Sequence, residues 1–211
     1  MKKLLFAFVL LASWNLLFAQ TNQKDPMIVK MVNEVSKDSL QSYVKKMVRF
    51  GTRNTLSTQT DPNRGIGAAR NWVLSRFNEF AKNSDGRLTA IIDTTTLQKD
   101  GRRVDTTLLL GNVMATLKGT DPTDKRIFII SGHLDNMCTS VMDRTGDAPG
   151  ANDDASGVAA VMECARIMCK YPFSATVIFV AVSGEEQGLL GSTFMAENYN
   201  PKLLRYHWLF R

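Results

Sequence analysis

The sequence predicts an α/β fold, with a mixed, mostly parallel central sheet flanked by helices. Three observations carry this. From residue 126 onward, strand-like and helix-like segments alternate. The runs 126–131, containing Ile127, Phe128, Ile129 and Ile130, and 176–182 are continuously apolar, as strands buried on both faces are. Between 65 and 82, Ile66, Ala69, Trp72, Val73, Phe77 and Phe80 recur at helical spacing and make one apolar face.

Residues 1–20 stand apart from this plan. Lys2 and Lys3 precede the apolar run Leu4 to Leu11, which Ala12, Leu16, Leu17 and Phe18 extend up to Ala19 and Gln20. This pattern is expected of a secretory signal peptide, and it predicts a secreted or periplasmic protein. Ser13 and Asn15 interrupt the run, which is at the short limit for a bilayer span, so no stable membrane association is expected. The remainder, 21–211, is read as the N-terminal portion of a single domain. The chain carries 26 Lys and Arg against 20 Asp and Glu, a net +6; without the two lysines of the leader it is +4. That mild excess, with no aromatic–basic interleaving, predicts no nucleic-acid partner.

The elements follow in order. Residues 21–50 look helical, with Met27, Val29, Met31, Val32 and Val35 apolar in the first part. Asp38 or Ser39 is the expected cap of a second helix bearing Leu40, Tyr43, Val44, Met47 and Val48. Residues 51–63 are rich in Gly, Thr, Ser, Asn and Pro and read as a loop before the 65–82 helix. The segments 88–92 and 106–117 read as antiparallel strands around a turn at Asp100-Gly101. Helices are expected over 155–170 and 188–199. Cys138, Cys164 and Cys169 are too few and oddly spaced for a disulfide framework and are read as packing residues.

The chemistry sits at the ends of these elements. One apolar strand runs into Ser131-Gly132-His133-Leu134-Asp135, the other into Ser183-Gly184-Glu185-Glu186, and Asn152-Asp153-Asp154 opens the helix between them. In an α/β sheet these arrive at one edge, where ligands bind. One imidazole and five carboxylates in one place are unstable without cations or protons, and imidazole with carboxylate suits zinc. Asp153-Asp154 and Glu185-Glu186, each preceding a helix, could alternatively do no more than complement helix dipoles. Three such segments on successive elements of one sheet favour a metal site.

The segments SGHLD (131–135), PGANDDASGVAAVME (149–163) and VSGEEQGLLGS (182–192) resemble the M28 metallopeptidases, a family of secreted leucyl-type aminopeptidases. RFGTRNTLSTQTDPNRGIGAARNWVLSRF (49–77) resembles the family's N-terminal helices. The resemblance implies a zinc-exopeptidase-like fold and two zinc ions. It implies that His133 binds one zinc, Asp153 bridges both across a cis Asp153–Asp154 peptide, and Glu186 binds the second. Asp135 would orient His133, and Glu185 would be the general base on the water that attacks a peptide substrate.

The family has two further ligands, an Asp on the next strand and a later His. No Asp follows Asp154, and His207 stands in an unrelated context, Tyr206-His207-Trp208. The sequence therefore predicts a sheet incomplete at the C-terminus, a sequence out of frame from about residue 205, and weak or absent activity. Two alternatives stay open: a non-catalytic peptide- or metal-binding pseudoenzyme, and a glutaminyl cyclase-like acyltransferase on the same scaffold.

Overall fold

A computed structural model describes residues 24–198. Residues 1–20, expected to be a signal peptide, and residues 205–211 with His207, expected to be out of frame, lie outside the described residues. The chain divides into two units at Glu34/Val35. In the first, α1 (Pro26–Asn33) starts where Pro26 needs no hydrogen-bond acceptor and the Asp25 carboxylate accepts the Met27 N–H at 2.7 Å.

The second unit opens with α2 (Lys37–Val48). Its cap is Ser36, not Asp38 or Ser39: the helix begins two or three residues earlier than expected, and the Ser36 hydroxyl takes the Ser39 N–H at 3.1 Å. Next comes α3 (Gly65–Ala81), whose own N-cap Arg64 offers no side-chain bond. Ser57, nine residues back in the loop, accepts the Ile66 N–H at 2.9 Å instead. The strands are β1 (Leu88–Leu97), β2 (Leu108–Leu117), β3 (Ile127–His133) and β4 (Thr176–Val182). A one-turn π segment (Ala151–Ala155) leads into α4 (Ser156–Met168), and α5 (Leu190–Asn198) follows β4.

The sheet runs β1-β2-β4-β3. It is mixed, as expected, but its parallel share is smaller than expected: β1/β2 and β2/β4 are antiparallel, and β3/β4 alone is parallel among the described strands. The reason is connectivity. Only the β3–α4–β4 crossover returns the chain in the same direction, whereas the β1–β2 hairpin brings its second strand against β4 head to tail.

Alternation along the strands divides the core. Val113, Ala115, Leu117, Val177, Phe179 and Ala181 face α2, α3 and α4 with Met47, Val73, Phe77 and Met162, while Met114, Ile178, Val180 and Val182 pack with Met195 of α5 on the other side. Fully buried rings such as Phe77 and Phe179 each contribute about 2–3 kcal/mol through lost water contact. Strand β4 is buried on both faces, as its apolar run predicts. Strand β3 departs from that expectation, since all its residues but the exposed Ser131 are half-buried; it forms the sheet edge among the described strands, so one flank lacks a neighbour. Trp72 is half-buried against the core, tilted on Tyr43 and Phe50. Cys169 is buried, Cys164 half-buried and both thiols are free. Cys138 is not a packing residue: it is exposed, in a segment outside the helices and strands. Among the described residues, no helix is long and apolar enough to cross a membrane.

Candidate metal centre

The parallel register sets Gly132 beside Ala181 and His133 beside Val182, and the Leu134 N–H reaches the Val182 carbonyl at 2.7 Å. Both strands therefore discharge their polar tips at one edge. The approach of α4 to β3 is close enough that a Cβ on Gly132 would lie 2.8 Å from the Gly157 backbone. In this gap Asp154 accepts the His133 N–H at 3.0 Å with one oxygen and the Gly157 N–H at 2.8 Å with the other. Asp154 thus ties the strand to the first turn of the helix, and its neighbour Asp153 is turned outward. The peptide between them is cis.

His133 is held through Nδ1, 3.1 Å from the Asp135 backbone carbonyl, and its Nε2 stands 2.9 Å from Asp153 Oδ1. Burial pulls the imidazole pKa down, but Asp135, Asp154, Glu185 and Asp153 together outweigh it and leave the pKa raised. Asp135 was expected to orient this ring. Its carboxylate lies 3.9 Å from Nδ1 and is occupied elsewhere, by the Glu185 N–H at 3.2 Å, the Glu186 N–H at 3.1 Å and the Thr55 hydroxyl at 3.1 Å. The backbone of residue 135 therefore steadies His133, and the Asp135 side chain fixes the turn that carries both glutamates. Complete burial holds the Asp135 carboxyl above its usual range, although His133 and the two N–H groups pull it down.

That turn is tight. Gly184 and Leu189 take positive φ values of 76° and 62°, and the Gly188 and Leu189 N–H groups both bond the Glu185 carbonyl. Buried Asn112 on β2 braces it by accepting the Ser183 N–H at 3.0 Å and donating to the Gly191 carbonyl at 2.8 Å. Donor atoms of His133, Glu185 and Glu186 all come within 4.8 Å of one another. Burial, with Asp135 and Asp153 nearby, raises the Glu186 carboxyl pKa. Glu186 also accepts the Met137 N–H at 3.2 Å through its side chain and an Arg103 N–H through its backbone carbonyl.

Beneath this cluster lies a polar bed that the sequence did not mark. Thr52 to Ser57, read as an ordinary loop, are all buried. Arg53, Asn54, Thr55, Asn112 and Asn136 are its working members. A dense run of hydrogen-bonding side chains between two apolar helices was their only signal in the sequence.

The family model for peptidase family M28 matches residues 112–210, which span β2 to the far side of the glutamate turn. The chain belongs to peptidase family M28. A relative from Pyricularia oryzae, named a probable zinc metalloprotease, is 48% identical over 168 residues, covering 80% of this chain and 33% of its own length. One from Pyrenophora teres f. teres with the same name is 44% identical, covering 83% and 38%. The chain thus spans between a third and two fifths of the curated relatives it matches. Among solved structures, the Legionella pneumophila LapA aminopeptidase superposes with a TM-score of 0.63 at 20% identity, covering 84% of this chain and 42% of LapA. The Fimbriiglobus ruber glutaminyl cyclase gives 0.61 at 20% identity, covering 79% and 56%. These two show the shared fold. The donor set itself, an imidazole with several carboxylates, fits zinc, and the Nδ1 contact to a carbonyl is how a ligating histidine is usually held.

Proposed function

We propose that this protein is a zinc aminopeptidase that removes N-terminal residues from peptides. The observation that carries the proposal is the convergence of His133, Glu185 and Glu186 within 4.8 Å at the mouth of the parallel strand pair. With Nδ1 engaged by the Asp135 carbonyl, Nε2 is the nitrogen left to hold a metal. In this reading His133 would hold one of two zinc ions and Glu186 the other, and Asp153, with two oxygens and an exposed side chain, would serve both. Zinc, when bound, supplies Lewis acidity toward the scissile carbonyl and a water that is nucleophilic at neutral pH.

The chain's own residues do the rest. Glu185 takes the proton from the attacking water and hands it to the leaving amine. Asp135, through the Glu185 and Glu186 N–H groups, keeps the two glutamates in their separate directions. The acidic rim of Asp153, Glu185 and Glu186 favours a substrate's free N-terminal ammonium, which supports exopeptidase over endopeptidase action. Export through residues 1–20 belongs to the same proposal and rests on their sequence alone.

The test is hydrolysis of leucine p-nitroanilide by zinc-loaded protein, beside Glu185→Gln. We expect the variant to keep its zinc and lose about 10²–10⁴-fold in kcat. Full activity in Glu185→Gln sinks the assignment of the base. Cyclisation of an N-terminal glutamine without anilide hydrolysis replaces peptidase with acyl transfer.

A further inference from the structure

Arg53 is the largest fully buried side chain among the described residues, at 1% exposure. Its guanidinium donates to four backbone carbonyls: Leu134 at 2.8 Å, Gly150 at 2.9 Å, Pro149 at 3.1 Å and Met47 at 3.2 Å. Its own N–H goes to the Asn136 side-chain oxygen at 2.9 Å, and the Asn136 amide continues to the Ala148 carbonyl at 2.6 Å. Burial lowers its pKa to about 10, with Asp135 and Asp154 opposing, so it stays charged at neutral pH.

Placing a guanidinium in the interior is costly unless it is fully hydrogen-bonded, and an apolar side chain of similar volume would fill the space without that demand. The acceptors suggest why the charge is there. Leu134 directly follows His133. Gly150, held at φ 47°, begins the π segment that carries Asp153, and its carbonyl also accepts the Ala155 N–H at 3.1 Å. His133 and Asp153 therefore sit on two backbone segments joined by one rigid planar fork. Met47 anchors the same fork to the last turn of α2.

We infer that Arg53 is a positioning residue that sets the separation of His133 from Asp153 and thereby the affinity of the site for zinc. The inference rests on the metal-holding reading given above. A lysine keeps the charge but not the geometry, because a single ammonium cannot span carbonyls on both segments at fixed angles.

The experiment compares full-chain wild type, Arg53→Lys, Arg53→Met and His133→Ala. Zinc affinity is read by competition with a chromophoric chelator, and metal-free amide exchange is followed at Ala155 and, as a control, within α4 at Met162. We expect both Arg53 variants to keep Met162 protected, to exchange Ala155 at least tenfold faster, and to weaken zinc by about 10–100-fold, Met more than Lys. Zinc affinity within twofold of wild type in a folded Arg53→Met, or unchanged exchange at Ala155, overturns the inference. If Arg53→Met does not fold, Arg53→Lys decides by the same two criteria. Equal zinc binding by wild type and His133→Ala overturns the metal reading, and the inference falls with it. A His133-dependent affinity that ignores Arg53 sinks the inference alone.

Discussion

Asp135 and Asp153 belong to one site, and the fold treats them in opposite ways. The Asp135 side chain is completely buried, and both its oxygens are engaged by N–H or O–H donors from Thr55, Glu185 and Glu186. The Asp153 side chain is 77% exposed and faces the His133 imidazole. The same division holds more widely. Arg53, Asn54, Asn112 and Asn136 form a floor whose side chains are satisfied within the protein, mostly by backbone groups, and Asp153, Glu185 and Glu186 form a rim around His133. A buried polar group must be satisfied within the protein. A cluster of carboxylates near water stays tolerable while a cation or proton can join it. The floor is thus machinery for holding shape, and the rim is machinery for holding something else.

Substitutions can break this comparison, and the largest effect should come from the floor. Asp135→Ala strands two backbone N–H groups and a hydroxyl in the interior. We expect a loss of about 3 kcal/mol of stability in the metal-free chain, measured by urea unfolding. A loss below about 1 kcal/mol would mean that water enters and replaces the carboxylate. Glu163 extends the comparison to a carboxylate far from the site. It accepts the Ser36 N–H at 2.7 Å and pairs with Arg166, and these bonds depress its pKa despite the opposing effect of burial. Its unfolded form binds protons more readily, so its stabilisation is complete above the ordinary glutamate value and fades as pH falls through the depressed one. Stability measured against pH should lose part of its acid-side slope in Glu163→Gln; an unchanged slope refutes the role given to that contact. Ser57→Ala removes the remote cap of α3 and should cost about 1 kcal/mol. Asp153→Ala should change metal-free stability by less than about 0.5 kcal/mol, while reducing zinc affinity more than any other variant in this series. A marked loss of metal-free stability in Asp153→Ala would erase the distinction between floor and rim.

The rim was legible in the sequence and the floor was not, for a physical reason. His133, Glu185 and Glu186 end apolar strands, where a charged side chain has no packing role and so stands out. The family resemblance already singled out Asp153 as the ligand, whereas the part of Asp154 as a strap between β3 and α4 shows only in the folded structure. Arg53 and Asn136 have no such contrast. A polar residue in a polar stretch looks solvated, and only the tertiary partners Leu134, Pro149 and Ala148 reveal its burial. The strand and helix order from Gly65 to Asn198 was readable from periodicity, with ends shifted by a residue or two except in β1, which runs five residues past the expected end at Ile92. The strand pairing was not, because an apolar run states that it is buried without stating the direction of its neighbour.

The parallel pairing of β3 with β4 has a consequence for how the molecule would respond to metal. His133 and Glu186 are neighbours in space but are separated along the chain by a loop of roughly fifty residues, including all of α4. A pair of ions, one held by His133 and one by Glu186 and both served by Asp153, would close that loop as a cross-link does. By the chain-entropy relation for covalent bridges, a closure of this length removes about 4 kcal/mol of freedom from the unfolded ensemble. The site would then act as a removable staple on its own scaffold, and a chelator would lower the stability of the metal-loaded chain.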